Sequence, residues 1–160
     1  VGRAFTYSVA YRGTITADRR RFAALVADTY ADERGWRAAG FAFRRVARGG
    51  DLTVWLAEAS TVPSFGAGCS SSWSCRVGRN VVINQTRWKY ATAPWRAAGR
   101  TLRGYRHLAI NHETGHWLGH SHIGCGGSGQ RAPVMMQQSK GLDGCRFNAF
   151  PLPRERWTSR

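Results

Sequence analysis

The sequence predicts an α/β fold with α+β character, on three observations. Several short segments alternate apolar and polar residues, two longer ones repeat apolar residues every three or four positions, and the Gly- and Cys-containing C-terminal part does neither. Phe5 to Tyr11 (Phe-Thr-Tyr-Ser-Val-Ala-Tyr) reads as a first strand. A helix follows: Asp18 can cap it, and Phe22, Leu25, Val26 and Tyr30 recur on one face before Gly35 ends the pattern. Phe41 to Val46 and Leu52 to Ala57 read as strands joined by a turn at Gly49-Gly50-Asp51. Residues 59 to 80, rich in Ser, Gly and Cys, form either a long loop or a short edge hairpin. Val81 to Asn84 is a compact strand, and Thr86 to Gly99 is an aromatic connection with no assignable element. From about Thr101, Leu102, Tyr105, Leu108, Ala109, His112, His116 and Trp117 keep helical spacing as far as Gly119.

With 160 residues and seven Trp, the chain can fill one core, and we expect a single domain over residues 1–160. No stretch approaches the roughly 20 apolar residues that cross a bilayer. The opening residues lack a signal-peptide pattern, so an exported protein would be present here in mature form. The net charge of +15 comes almost wholly from Arg, with Lys only at 89 and 140. Scattered as they are, these charges read as a solvated surface that could draw the protein to an anionic cell wall, not as a specific nucleic-acid site. We expect a monomer.

Four cysteines allow three pairings, and proximity favours Cys69 with Cys75 and Cys125 with Cys145. Neither pair has the C-x-x-C spacing of a thiolate metal site, which favours disulfides and an oxidising, extracellular location over buried thiols.

The chemistry is concentrated in Asn111-His112-Glu113-Thr114-Gly115-His116-Trp117-Leu118-Gly119-His120-Ser121-His122, which contains H-E-x-x-H-x-x-G-x-x-H in full. His112 and His116 are one helical turn apart, so both imidazoles can reach one metal. Glu113 stands beside the first ligand, where a carboxylate can take a proton from water and return it to a leaving amine. Gly119 can adopt positive φ and turn the chain so that His122 becomes the third ligand. Three imidazoles leave a fourth position open for water, the mark of catalytic zinc. His107 and His120 fall outside the ligand spacing, although His120, four residues past His116, could compete with His122.

These residues resemble the signature of the metzincin zinc peptidases. That clan has a methionine turn below the metal, and Pro133-Val134-Met135-Met136-Gln137 is the candidate, with Met135 preferred to Met136 because it follows an apolar residue. The chain is most similar to the small snapalysin-type enzymes, which share the His-Glu-Thr-Gly-His start, a short run to the methionine and a disulfide around that turn. Here Cys125 and Cys145 bracket Met135. It departs from them at the third ligand, where they carry Asp and this chain has His122. It also resembles a group of secreted actinobacterial proteins with the same motif. The likeness covers roughly residues 107 to 150.

The resemblance implies a twisted, mostly parallel sheet with an antiparallel edge strand in Ser70 to Val77, a backing helix, an active-site helix and an irregular, disulfide-linked C-terminal segment. It implies a Zn²⁺ cofactor, peptide or protein substrates bound along the sheet edge, and secretion. Some metzincins follow the methionine with a Tyr that assists catalysis; Gln137 and Gln138 occupy that place here. The expected function is therefore a secreted zinc endopeptidase with Glu113 as general base. The alternatives are a zinc hydrolase of cell-wall or other non-protein amides, and an Arg-rich zinc-binding module without activity. The free carboxylate of Glu113 argues against the last, because a structural zinc site needs none.

Overall fold

The computed structural model describes residues 2–160. Strand β1 (Arg3–Arg12) is followed by helix α1 (Arg19–Ala31), β2 (Phe41–Arg45), β3 (Leu52–Ala57), β4 (Cys75–Val77), β5 (Asn80–Asn84), the short helices α2 (Gln85–Tyr90) and α3 (Ala93–Ala97), and the long helix α4 (Leu102–Trp117). The sheet runs β2-β1-β3-β5-β4, with every pairing parallel except that of β4 with β5. The expected antiparallel edge strand is therefore present, as the outer half of a hairpin.

Alternation along the strands decides which face is covered. Phe5 and Tyr7 of β1, Leu52, Val54 and Leu56 of β3, and Val81 and Ile83 of β5 all join the core shared with α1 and α4. Phe5 meets Trp117 edge-on at 4.9 Å, and Tyr7 meets Tyr30 at 5.0 Å. On the opposite face Ala57, Cys75 and Val82 pack beneath the turn at Ala59–Phe65. Asp18 caps α1 by accepting from the Arg21 N–H, and Phe22, Leu25, Val26 and Tyr30 are all buried. The helix stops at Ala31, before the expected Gly35; that glycine instead leads into a single tight turn at Trp36–Ala39.

The expected turn between β2 and β3 is corrected by the topology. The two strands do not pair; they flank β1 on either side, β2 against Arg3–Tyr7 and β3 against Tyr7–Arg12. This stagger lets residues 46–51 pass across β1 at its midpoint. Val46 N–H bonds the Tyr7 carbonyl, Asp51 N–H bonds the Thr6 carbonyl, and the Ser8 hydroxyl donates to the Gly49 carbonyl. Gly50, at φ 81°, lies so close that a Cβ would come within 3.0 Å of the Thr6 backbone. A Gly-Gly-Asp run usually marks a hairpin; here it serves a close crossing.

Thr86 to Gly99, left without an element by the sequence, forms α2 and α3, capped by Asn84 and Thr92. Both disulfides form as proximity favoured, Cys69–Cys75 and Cys125–Cys145. Among the described residues no helix is long and apolar enough to cross a membrane.

Candidate metal centre and cleft

Helix α4 is capped by Thr101, whose hydroxyl accepts from the Gly104 N–H, and by Leu118 at its other end. It is gripped along its buried side. Tyr30 bonds the Thr114 hydroxyl at 2.8 Å, and the Trp36 indole donates to the Asn111 carbonyl at 3.0 Å. Gly119, at φ +107°, turns the chain, and a Cβ there would meet the Ser159 hydroxyl at 2.0 Å. The turn carries His122 back beside the helix.

His112, His116 and His122 then converge, with one candidate ligand atom from each lying within 4.8 Å of the others. His112 Nε2 is 3.2 Å from His122 Nε2, and His116 Nε2 is 3.1 Å from it. The other ring nitrogens fix the tautomers. His112 Nδ1 is 2.7 Å from the Val134 carbonyl and His116 Nδ1 is 2.9 Å from the His120 carbonyl. A carbonyl can only accept, so both Nδ1 atoms carry the proton and both Nε2 atoms present lone pairs to the same point. Facing lone pairs repel unless a cation lies between them. Tetrahedral bonds of 2.0–2.1 Å would set such nitrogens about 3.3 Å apart, close to the spacing seen. The donor set thus fits a zinc-like ion, and backbone carbonyls hold the rings as ligand histidines require.

Burial lowers the proton affinity of all three imidazoles, with His112 pushed down to about 3. Neutral rings are the metal-binding form. Glu113 is buried beside them, and burial pushes its carboxyl up to about 8, with the Arg76 charge pulling the other way.

Met135 is fully buried beneath α4. A Cβ on Gly115 would come within 2.3 Å of the Met135 sulfur and 2.9 Å of the Trp36 ring, so the helix carries a glycine where the methionine packs. Met136 packs with Ala132 and Cys145 in a small separate cluster and also lines the cleft. The turn itself is held by Glu155, a residue the sequence reading missed. Its buried carboxylate accepts from the backbone N–H groups of Val134 at 2.9 Å, Met135 at 3.0 Å and Leu152 at 2.9 Å. Only its acidity in a strongly basic chain sets it apart in the sequence, and no spacing links it to the motif.

His120 does not compete for the cluster. Its ring lies on Trp157 at 3.8 Å, with Nε2 donating to the Trp157 carbonyl at 2.8 Å. His107 bonds the Thr29 hydroxyl at 2.7 Å on the buried side of α4. Gln138 is committed as well: its amide donates to the Pro133 and Asn148 carbonyls and accepts from the Asn148 N–H. Gln137 remains exposed on the cleft wall.

The cluster opens into a cleft of about 340 Å³ between β4 and the segment after Met136. Ser74, Cys75 and Arg76 form one wall, Gln137 to Lys140 the other, and Leu108 and Ala109 part of the floor. Arg76, also unmarked by the sequence reading, bears on Glu113 and His116, while Lys140 bears on His122. The cleft is cationic.

Fold and site together define a mixed α/β protein with a three-histidine cluster in a cleft at the edge of a mostly parallel sheet. The chain belongs to the family described as Protein of unknown function (DUF3152), whose profile matches residues 1–153. A search of curated proteins finds no match.

Proposed function

We propose that this protein is a secreted zinc-dependent endopeptidase of metzincin type, acting on peptide or protein substrates. The observation that carries the reading is the convergence of ring nitrogens from His112, His116 and His122, with His122 Nε2 at 3.2 and 3.1 Å from the other two Nε2 atoms and the free carboxyl of Glu113 in the same cleft. Zinc, when bound, supplies Lewis-acid polarisation of the scissile carbonyl and of the attacking water.

The chain's own groups supply the rest. Glu113 takes the proton from the attacking water and delivers it to the leaving nitrogen. Burial alone favours the neutral form of the Glu113 carboxyl. A dication held by the three imidazoles would add to the effect of Arg76 and favour the ionised form of Glu113. Strand β4 offers an open sheet edge along which an extended peptide can lie. Glu155 fixes the backbone at Val134 and Met135 through their N–H groups, and the Val134 carbonyl between them fixes the His112 ring. Two disulfides and the resemblance to exported enzymes support an extracellular location.

The deciding experiment incubates zinc-loaded protein and its Glu113→Ala variant with a diverse peptide mixture and reads cut sites by mass spectrometry. We expect internal cleavage by the wild type and at least a 100-fold loss in the variant at unchanged zinc content. Intact peptides after incubation with fully zinc-loaded wild type would end the proteolytic reading and direct attention to non-protein amides.

A further inference from the structure

Arg76 is a charge without a partner. It lies on the edge strand and lines the cleft, yet the ion pairs found among the described residues are Arg34–Asp32 and Arg103–Asp28, both elsewhere. Its Nε is shielded from solvent with no acceptor among the described residues, and one terminal nitrogen makes only a long 3.4 Å contact to the Gly78 carbonyl. A guanidinium presents five N–H donors in a planar fork matched to carboxylate oxygens. The one carboxyl lining the cleft is that of Glu113, which does not come within ion-pair distance of Arg76.

The strand register says what can reach it. Val77 pairs with Asn80 across the two-residue turn Gly78-Arg79, so that pair is hydrogen-bonded. Hydrogen-bonded and non-hydrogen-bonded pairs alternate along an antiparallel ladder. Arg76, opposite Val81, therefore turns its own N–H and C=O away from β5, toward the open edge. A strand added there bonds to Arg76, and the residue directly opposite projects its side chain on the same face as Arg76. That is the α4 face, because Val81, the partner of Arg76, packs in the core beneath α4. Lys140 stands across the same cleft.

We propose that Arg76 is a specificity-determining residue that selects peptides carrying an Asp or Glu side chain at the position paired with it, with Lys140 adding to the attraction. This rests on the endopeptidase reading for the reaction, but not for the recognition. The acceptor missing from the Nε would come from the substrate carboxylate, and an amide of the same shape supplies neither the charge nor the second acceptor oxygen.

The test uses pairs of otherwise identical peptides with Glu or Gln at one position, moved stepwise across the cut site. kcat/KM is measured with zinc-loaded protein, and binding is measured separately by anisotropy on the Glu113→Gln variant. At one position the Glu peptide should be favoured at least 10-fold, with the ratio falling toward one in Arg76→Gln and partly kept in Arg76→Lys. A ratio within twofold at every position in the wild type overturns the proposal, as does a ratio unchanged in folded Arg76→Gln. Should Arg76→Gln fail to fold, the wild-type ratio and Arg76→Lys decide. If no peptide is cut but the Glu peptide still binds preferentially and Arg76→Gln removes that preference, the peptidase reading falls and acidic-peptide recognition stands. Binding without preference overturns the recognition whatever is cleaved.

Discussion

The part of the molecule up to Trp117 and the part after it are held together by different forces. In the first, ring packing and strand alternation do most of the work: Phe22, Trp36, Leu52, Val54 and Leu56 are fully buried in one core. In the second, side chains bond directly to backbone. Glu155 accepts from three N–H groups, Gln138 joins Pro133 to Asn148, and the Asn148 amide reaches the Ala132 carbonyl at 2.8 Å. The histidine cluster straddles the two. Two rings sit on α4, but what orients them, the carbonyls of Val134 and His120, and the third ring itself belong to the irregular part. The regular half provides stability, and the irregular half provides aim.

That contrast can be broken most severely at Glu155. Glu155→Ala leaves three N–H groups without acceptors in a buried site, and at 1–3 kcal/mol for each lost partner we expect about 3–5 kcal/mol of destabilisation after partial relaxation. Denaturant unfolding measures it. Phe22→Ala, in the other half, should cost about 3–5 kcal/mol through its cavity. The two should part in zinc affinity at concentrations where both are folded: weaker by 10-fold or more in Glu155→Ala, unchanged in Phe22→Ala. Equal zinc affinities would show that the turn does not aim His112.

Next in size is the disulfide Cys125–Cys145, which spans 20 residues of the irregular half. Replacing both cysteines by Ser should cost about 3 kcal/mol, against about 2 kcal/mol for Cys69 and Cys75, whose separation is 6. Thermal unfolding of the two double variants compares them directly. Gly115→Ala tests the seam between the halves, since its Cβ has no room beside the Met135 sulfur. We expect about 1–3 kcal/mol. Gly115→Ala combined with Met135→Ala should recover part of that loss, whereas a purely additive result would mean that the contact does not limit the packing.

The smallest effect concerns His107, a titrating group of the regular half that lies apart from the cluster. Burial lowers its pKa from 6.5, helped by the Arg103 charge. The unfolded chain therefore takes up this proton first as pH falls below about 6.5, and stability present above that pH is lost on acidification. His107→Gln should lose less stability between pH 7 and pH 5 than the wild type, both compared without metal. A larger loss in the variant would contradict the sign.

What could be read from the sequence follows the same division. The strands around Phe5 to Tyr11 and at Leu52–Ala57, the Asp18 cap and the long helix with its histidine spacing were all foreseeable, because a period of two or 3.6 is local information. The crossing at Gly49–Asp51 was not, since the same residues serve a hairpin or a close approach to β1, and only the pairing partner tells them apart. Helices α2 and α3 are too short, at 6 and 5 residues, to show a period. Within the site, the three histidines announce themselves by spacing. Glu155 and Arg76 reach it through the tertiary fold alone, from a late turn and from a strand of 3 residues.

Residues 157–159 bear on how the third histidine is placed. The Trp157 carbonyl holds the His120 ring, and the Ser159 N–H and Thr158 hydroxyl bind the Leu118 carbonyl where α4 ends. The loop that carries His122 is braced by these groups. The third imidazole thus owes its place to contacts made far along the chain, so the cluster is a product of the closed tertiary fold and not of the helix alone.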